Sequence, residues 1–196
     1  MKRLKDSVSP RRVAGLTLLE MLIAVAVLAI LVSVAVPSYQ EISQNLRLRA
    51  AGFQLFETVH QGRSEAIKRD LEEVTLKFIT PSTGDWCIRL TDSPDECTDC
   101  SLSGQTNKCD LQGDGIVRGV DGGRFPNVSL STTFSNNKLT LTNRRNTLSA
   151  GNGKFSLGSD KAACLVTSNL GRARLCTPNG KDSIWGLEQC GGTVCN

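Results

Sequence analysis

Glu20 is the only charged residue between Leu16 and Val36, a run of 21 residues that is otherwise apolar except at Thr17 and Ser33. As a helix this run would extend about 31 Å, close to the thickness of a bilayer hydrocarbon core. A carboxylate costs on the order of 2.5–3.5 kcal/mol at the bilayer centre and less near its edge, so one placed here requires a cationic partner. Cleavage between Gly15 and Leu16 would create that partner. The new α-amino group of Leu16 carries positive charge at neutral pH and lies in the same membrane layer as Glu20 of a neighbouring copy. The chemistry is peptide-bond hydrolysis by another protein, followed by charge neutralisation between subunits.

A second set of residues, Gly171, Arg172 and Arg174, could bind anions. A hairpin centred on Leu170 opposes Ser168 with Arg172, Val166 with Arg174 and Cys164 with Cys176, all six on one face. Gly171 supplies the positive φ that a three-residue loop wants. The two arginines then project in parallel, about 7 Å apart at two strand residues, a spacing comparable to that of adjacent phosphates on one nucleic-acid strand. The same register makes a Cys164–Cys176 disulfide feasible, provided that the pair occupies a close, non-hydrogen-bonded site. The competing reading of the arginines is a solvated edge strand protected from aggregation by its charge.

All eight cysteines, Cys87, Cys97, Cys100, Cys109, Cys164, Cys176, Cys190 and Cys195, follow the apolar run. Before it stand Lys2, Arg3, Lys5, Arg11 and Arg12 against Asp6 alone, so the positive-inside rule keeps the N-terminus cytoplasmic and sends the remainder outward. An even set of cysteines in an oxidising compartment reads as disulfides, and eight allow 105 pairings, so connectivity stays open. Cys97 and Cys100, with Cys109 nearby, have zinc-like spacing, but export and the lack of a local histidine favour a disulfide staple. Asp110 to Gly115, reaching Asp121 at the twelfth position, resembles a calcium loop, yet no helix-forming segment follows and a turn-rich loop is the better reading. His60, the sole histidine, falls on the predicted rod beside Val59, where a helix-surface or core role is expected, and neither an enzyme, a metal nor a cofactor is expected.

The formal charge of +4 resides in the first fifteen residues, and the rest nets zero. Its distribution is uneven. Asp70 to Asp114 holds ten acids against three bases, whereas Lys138 to Lys181 holds eight bases against Asp160 alone, which permits a local basic face on a neutral molecule.

These groups must be positioned by a long helix and a sheet. Apolar residues continue past Val36 at Tyr39, Ile42, Leu46, Phe53, Phe56, Val59, Ala66 and Ile67, mostly three or four apart, predicting one amphipathic rod to Arg69 with a kink at Pro37. Strands are predicted at Val74–Thr80, Trp86–Leu90, Val128–Thr132, Leu139–Thr142, Phe155–Leu157, Cys164–Ser168 and Arg172–Cys176. The expected class is α+β, a long N-terminal amphipathic and transmembrane helix packed on antiparallel β-sheet with disulfides. Its parts are a leader (1–15), a transmembrane segment (16–36), an amphipathic segment (37–70) and a β-rich domain (71–196) with a Cys-rich insertion (91–123).

The basic leader ending in Gly15, followed by Leu16, Thr17, Leu18 and Glu20, resembles the type IV prepilin family. That resemblance implies cleavage after Gly15 by a prepilin peptidase, N-methylation of Leu16, insertion in the inner membrane, and assembly with other major and minor pilins. The first mature residue is more often Phe in that family. Arg63-Ser64-Glu65-Ala66-Ile67-Lys68-Arg69, then Val74-Thr75-Leu76 and Gly84-Asp85-Trp86, is similar to the GspH/FimT branch of pilins and pseudopilins. Gly171-Arg172-Ala173-Arg174 resembles the Gly-Arg-x-Arg element of FimT-type pilins, which implies double-stranded DNA as a partner. Two arginines alone give weak, salt-sensitive contact, each neutralised phosphate adding a slope of about −0.9 in log affinity against log salt. Further affinity would come from several subunits or from Arg144, Arg145, Lys154 and Lys181. The expected role is a FimT/FimU-type minor pilin in pilus initiation or at the tip. Its rivals are a type II secretion pseudopilin of the H type and a nucleic-acid-binding module that uses the rod as an anchor.

Overall fold

The computed structural model describes residues 17–82, 84–101, 108–192 and 195; the expected cleavage pair, Gly15 and Leu16, lies outside them. Helix α1 (Leu18–Lys68) precedes strands β1 (Glu73–Ile79), β2 (Cys87–Thr91), β3 (Gly119–Asp121), β4 (Ser129–Thr132), β5 (Lys138–Thr142), β6 (Thr147–Leu148), β7 (Gly151–Leu157), β8 (Lys161–Thr167) and β9 (Ala173–Cys176). The class is α+β, as expected, and every strand pairing is antiparallel.

α1 begins where its cap dictates. Thr17 Oγ1 accepts the backbone N–H of Glu20 at 3.2 Å, the side-chain N-cap bond to the third helical residue. Thr17 therefore caps the helix as well as belonging to the motif. Pro37 lies within α1 and does not end it. The chain divides into two units, one ending at Glu41 and the other beginning at Ile42. In the first, the large apolar side chains between Leu18 and Val36 are exposed, and α1 is the one helix among the described residues long and apolar enough to cross a membrane.

In the second unit, α1 buries Leu48, Ala51, Gly52, Leu55, Val59, Gly62 and Ala66, at three- and four-residue spacing. This corrects the expected stripe: Val59 and Ala66 are buried, whereas Leu46, Phe53 and Ile67 are exposed. Close approach explains the choice. A Cβ on Gly52 would stand 2.7 Å from the Leu175 side chain, and one on Gly62 would stand 2.9 Å from Leu90, so the face on which Leu48, Leu55 and Val59 alternate with small residues is the one that can approach the sheets closely.

The strands form two sheets, ordered β3-β2-β1-β5-β6 and β4-β7-β8-β9. All seven predicted strands are present. β7 starts four residues earlier than predicted, because Gly151 and Gly153 leave room for Phe134 and Leu55 where a Cβ would stand. β3 and β6, three and two residues long, are too short to show a period and were not predicted. The core between helix and sheets centres on Leu55, Phe78, Leu90, Phe155 and Leu165, each buried leucine or phenylalanine contributing about 1.5–3 kcal/mol. Trp86 joins it by donating Nε1–H to the Val128 carbonyl at 2.6 Å and stacking on Phe125.

Candidate functional site

The β8–β9 hairpin has the expected register. Cys164 opposes Cys176, Val166 opposes Arg174, and the Ser168 N–H donates to the Arg172 carbonyl at 3.0 Å. Gly171 has φ +75°, and its N–H donates to Ser168 at 3.0 Å to close the turn. β9 is an edge strand, and Arg172 and Arg174 are exposed on it and in its turn, beside the exposed Leu170.

The sulfur pairing differs from the expected Cys164–Cys176 bridge: Cys164 joins Cys195, and Cys176 joins Cys190. Hydrogen-bonded pairs recur at every second residue of an antiparallel ladder. The Ser168–Arg172 bond therefore makes Cys164–Cys176 a hydrogen-bonded pair too, the class whose Cβ atoms lie toward the far end of the cross-strand range of about 4.5–5.5 Å. Disulfides want Cβ atoms about 3.5–4.5 Å apart, which disfavours a bridge there. The C-terminal segment offers better partners. It lies beside Thr177, whose N–H donates to Glu188 and whose carbonyl accepts Cys190 N–H, both at 2.8 Å. The four sulfurs form one buried cluster under this segment, leaving the arginine end of the hairpin open.

Two contacts from outside the hairpin hold Gly171. Arg63 on α1 donates from Nη2 to the Gly171 carbonyl. A Cβ at Gly171 would collide with the Asn146 carbonyl, so the β5–β6 turn abuts the β8–β9 turn although they belong to different sheets. Sequence reasoning read Arg63 only as part of a motif and missed its reach to Gly171. The turn Asn143–Asn146, closed by Asn146 N–H to Asn143 at 3.2 Å, carries Arg144 and Arg145 exposed at its apex. Of the other cations considered, Lys154 pairs opposite Cys164 within the sheet. Lys181 bonds the Ser159 carbonyl beyond the opposite end of β8, about 20 Å along the strand from the arginine turn.

The insertion is tied down covalently and electrostatically. Cys87–Cys100 and Cys97–Cys109 staple it, so the zinc-like spacing serves disulfides. Asp114 accepts Arg69 at 2.6 Å and Arg118 at 2.7 Å, and Arg69 also pairs with Glu65 at 2.9 Å. The hydrogen bond from Arg118 comes first in holding Asp114 far below the usual carboxylate range, and Arg69 does the same more mildly for Glu65. Asp110 accepts Gly115 N–H at 2.7 Å, and Asp121 pairs with the buried Arg89. The carboxylates of the calcium-like pattern thus cap turns and face guanidinium groups, the surroundings of a structural loop. His60 is exposed on α1, its ring 4.6 Å from that of Phe56.

Residues 10–36 match the prokaryotic N-terminal methylation motif, across the stretch that holds Gly15, Leu16 and Glu20. Taken with an apolar helix and antiparallel sheets, that match makes this a type IV pilin-like protein. Residues 53–171 match the family described as type II transport protein GspH. The chain belongs to this GspH family of structural pilins and pseudopilins, and membership implies assembly with other pilins and processing by a prepilin peptidase. The matched residues end at Gly171, so Arg172 and Arg174 lie just beyond them. No curated protein and no solved structure matches the chain.

Proposed function

We propose that the protein is a minor type IV pilin of the FimT/FimU type that binds double-stranded DNA. Residues 1–15 are a leader removed after Gly15, Leu16 is then N-methylated, and residues 16–36 hold the subunit in the inner membrane with its N-terminus cytoplasmic. Glu20 pairs with the first residue of a neighbouring pilin as subunits leave the membrane for the filament. The exposed bulky residues of α1, among them Leu46 and Phe53, supply apolar surface for packing against other subunits.

The observation that carries the DNA reading is the anchored presentation of Arg172 and Arg174. A strand that needs charge only for solubility has no use for a turn clamped by Arg63 and fitted against Asn146. The test is duplex DNA binding by the full chain in nonionic detergent. Changing Arg172 and Arg174 together to Ala should weaken binding by at least about tenfold, and unaltered binding ends the proposal.

A type II secretion pseudopilin of the H type is the second reading, favoured by the description of the matching family. A deletion strain separates the two. Lost transformation and piliation with normal protein secretion supports the pilus, and the reverse supports the pseudopilus.

A further inference from the structure

Three concavities lie around the two turns. One, about 220 Å³, is lined by Arg63, Ile67, Asn143 and Asn146 among others; it shares Thr142 and Thr147 with a groove bearing Arg144 and Arg145. The third, a shallow depression, is lined by Ser168, Leu170, Arg172 and Arg174 at the far side of Gly171. Because Gly171 abuts Asn146, the turn that carries Arg144 and Arg145 in the first sheet lies directly beside the turn that leads to Arg172 and Arg174 in the second. Arg144, Arg145, Arg172 and Arg174 are all exposed and take part in no ion pair among the described residues, and Arg63, bonded to the Gly171 carbonyl, adds a fifth guanidinium with no carboxylate partner among them. Glu72 and Glu73 border the Arg144–Arg145 end and limit its potential without pairing with it.

We infer that Arg144 and Arg145 are a second half of the DNA site, so that the chain grips an extended phosphodiester backbone across two turns rather than at one hairpin. This rests on the DNA reading above and assigns it two further residues. Two turns from different sheets, held side by side at Gly171, bring four exposed arginines to one region of the surface. Such an arrangement suits several successive phosphates, while a single small anion could engage only part of it. The acids at one end set how strongly that half contributes.

The test is a salt titration of binding to a random-sequence 30-base-pair duplex, using the full chain in nonionic detergent. Four phosphate contacts give a slope of log affinity against log salt of about −3.6, and two give about −1.8. Arg144→Ala with Arg145→Ala should halve the slope and weaken binding by about 10–100-fold near 0.1 M salt. Glu72→Gln with Glu73→Gln should tighten it, a gain that no folding defect imitates. If the Arg144/Arg145 variant keeps the parent slope and affinity while the Arg172/Arg174 variant loses binding, this inference falls and the hairpin reading stands. If the unaltered chain does not bind the duplex, both fall together.

Discussion

The guanidinium of Arg63, near the end of α1, donates to the carbonyl of Gly171, 108 residues further along the chain. One hydrogen bond thereby couples the helix to the turn that presents Arg172 and Arg174. A charged donor to a half-buried carbonyl contributes about 1.5–3 kcal/mol. Arg63→Ala should lower the unfolding free energy by that amount in urea titrations, with Arg63→Lys intermediate because it keeps the charge but loses the fork.

Gly171 has a left-handed backbone and no room for a methyl group. Gly171→Ala should destabilise by about 1–3 kcal/mol from backbone strain alone, and the collision with Asn146 adds to that. The thermal midpoint should fall, and duplex DNA affinity should fall with it, even though both arginines remain.

The C-terminal disulfides bind the tail, and the hairpin strands are joined only by hydrogen bonds. Peptide mapping without reduction should recover Cys164 linked to Cys195 and Cys176 linked to Cys190, and no Cys164–Cys176 peptide. Replacing Cys176 and Cys190 together by Ser should cost about 2–5 kcal/mol.

Acid should unfasten the insertion. The folded pKa of Asp114 lies below its unfolded value of about 3.9, so the stabilisation is complete above about pH 5 and is lost as the pH falls through and below the unfolded value. Glu65 acts in the same direction. The thermal midpoint should therefore drop steeply from pH 5 to pH 2, and Asp114→Asn should lower the neutral-pH midpoint while flattening that slope.

Glu20 tests assembly apart from folding. Glu20→Ala should leave the thermal midpoint of the second unit unchanged, since none of that unit's core residues precedes Ile42, while incorporation into filaments disappears on immunoblots of sheared pili.

Local patterns made much of this protein readable. The capped apolar run, the seven longer strands and the hairpin register from Ser168 to Cys176 follow from period and turn chemistry alone. The helix face was harder, because α1 carries two apolar stripes. Both hold large apolar residues, and the one that packs, with Leu48, Leu55 and Val59, is distinguished by Ala51, Gly52 and Gly62, small residues that weigh little in hydropathy. The Asp114 network was equally hidden: Glu65 and Arg69 are spaced to pair on a helix, but nothing near them announces Asp114 or Arg118.

The amino-acid order alone determined the membrane-length helix with its single acid, the antiparallel hairpin and the disulfide use of the cysteines, since each depends on neighbours a few residues away or on composition. Which cysteine meets which, which stripe of α1 is covered, and the meeting of the Asn143–Asn146 and Ser168–Arg172 turns belong to the tertiary structure. Those outcomes turn on distances between segments far apart in the chain, which no local pattern specifies: Cys164 meets Cys195, 31 residues further on, rather than its cross-strand neighbour Cys176.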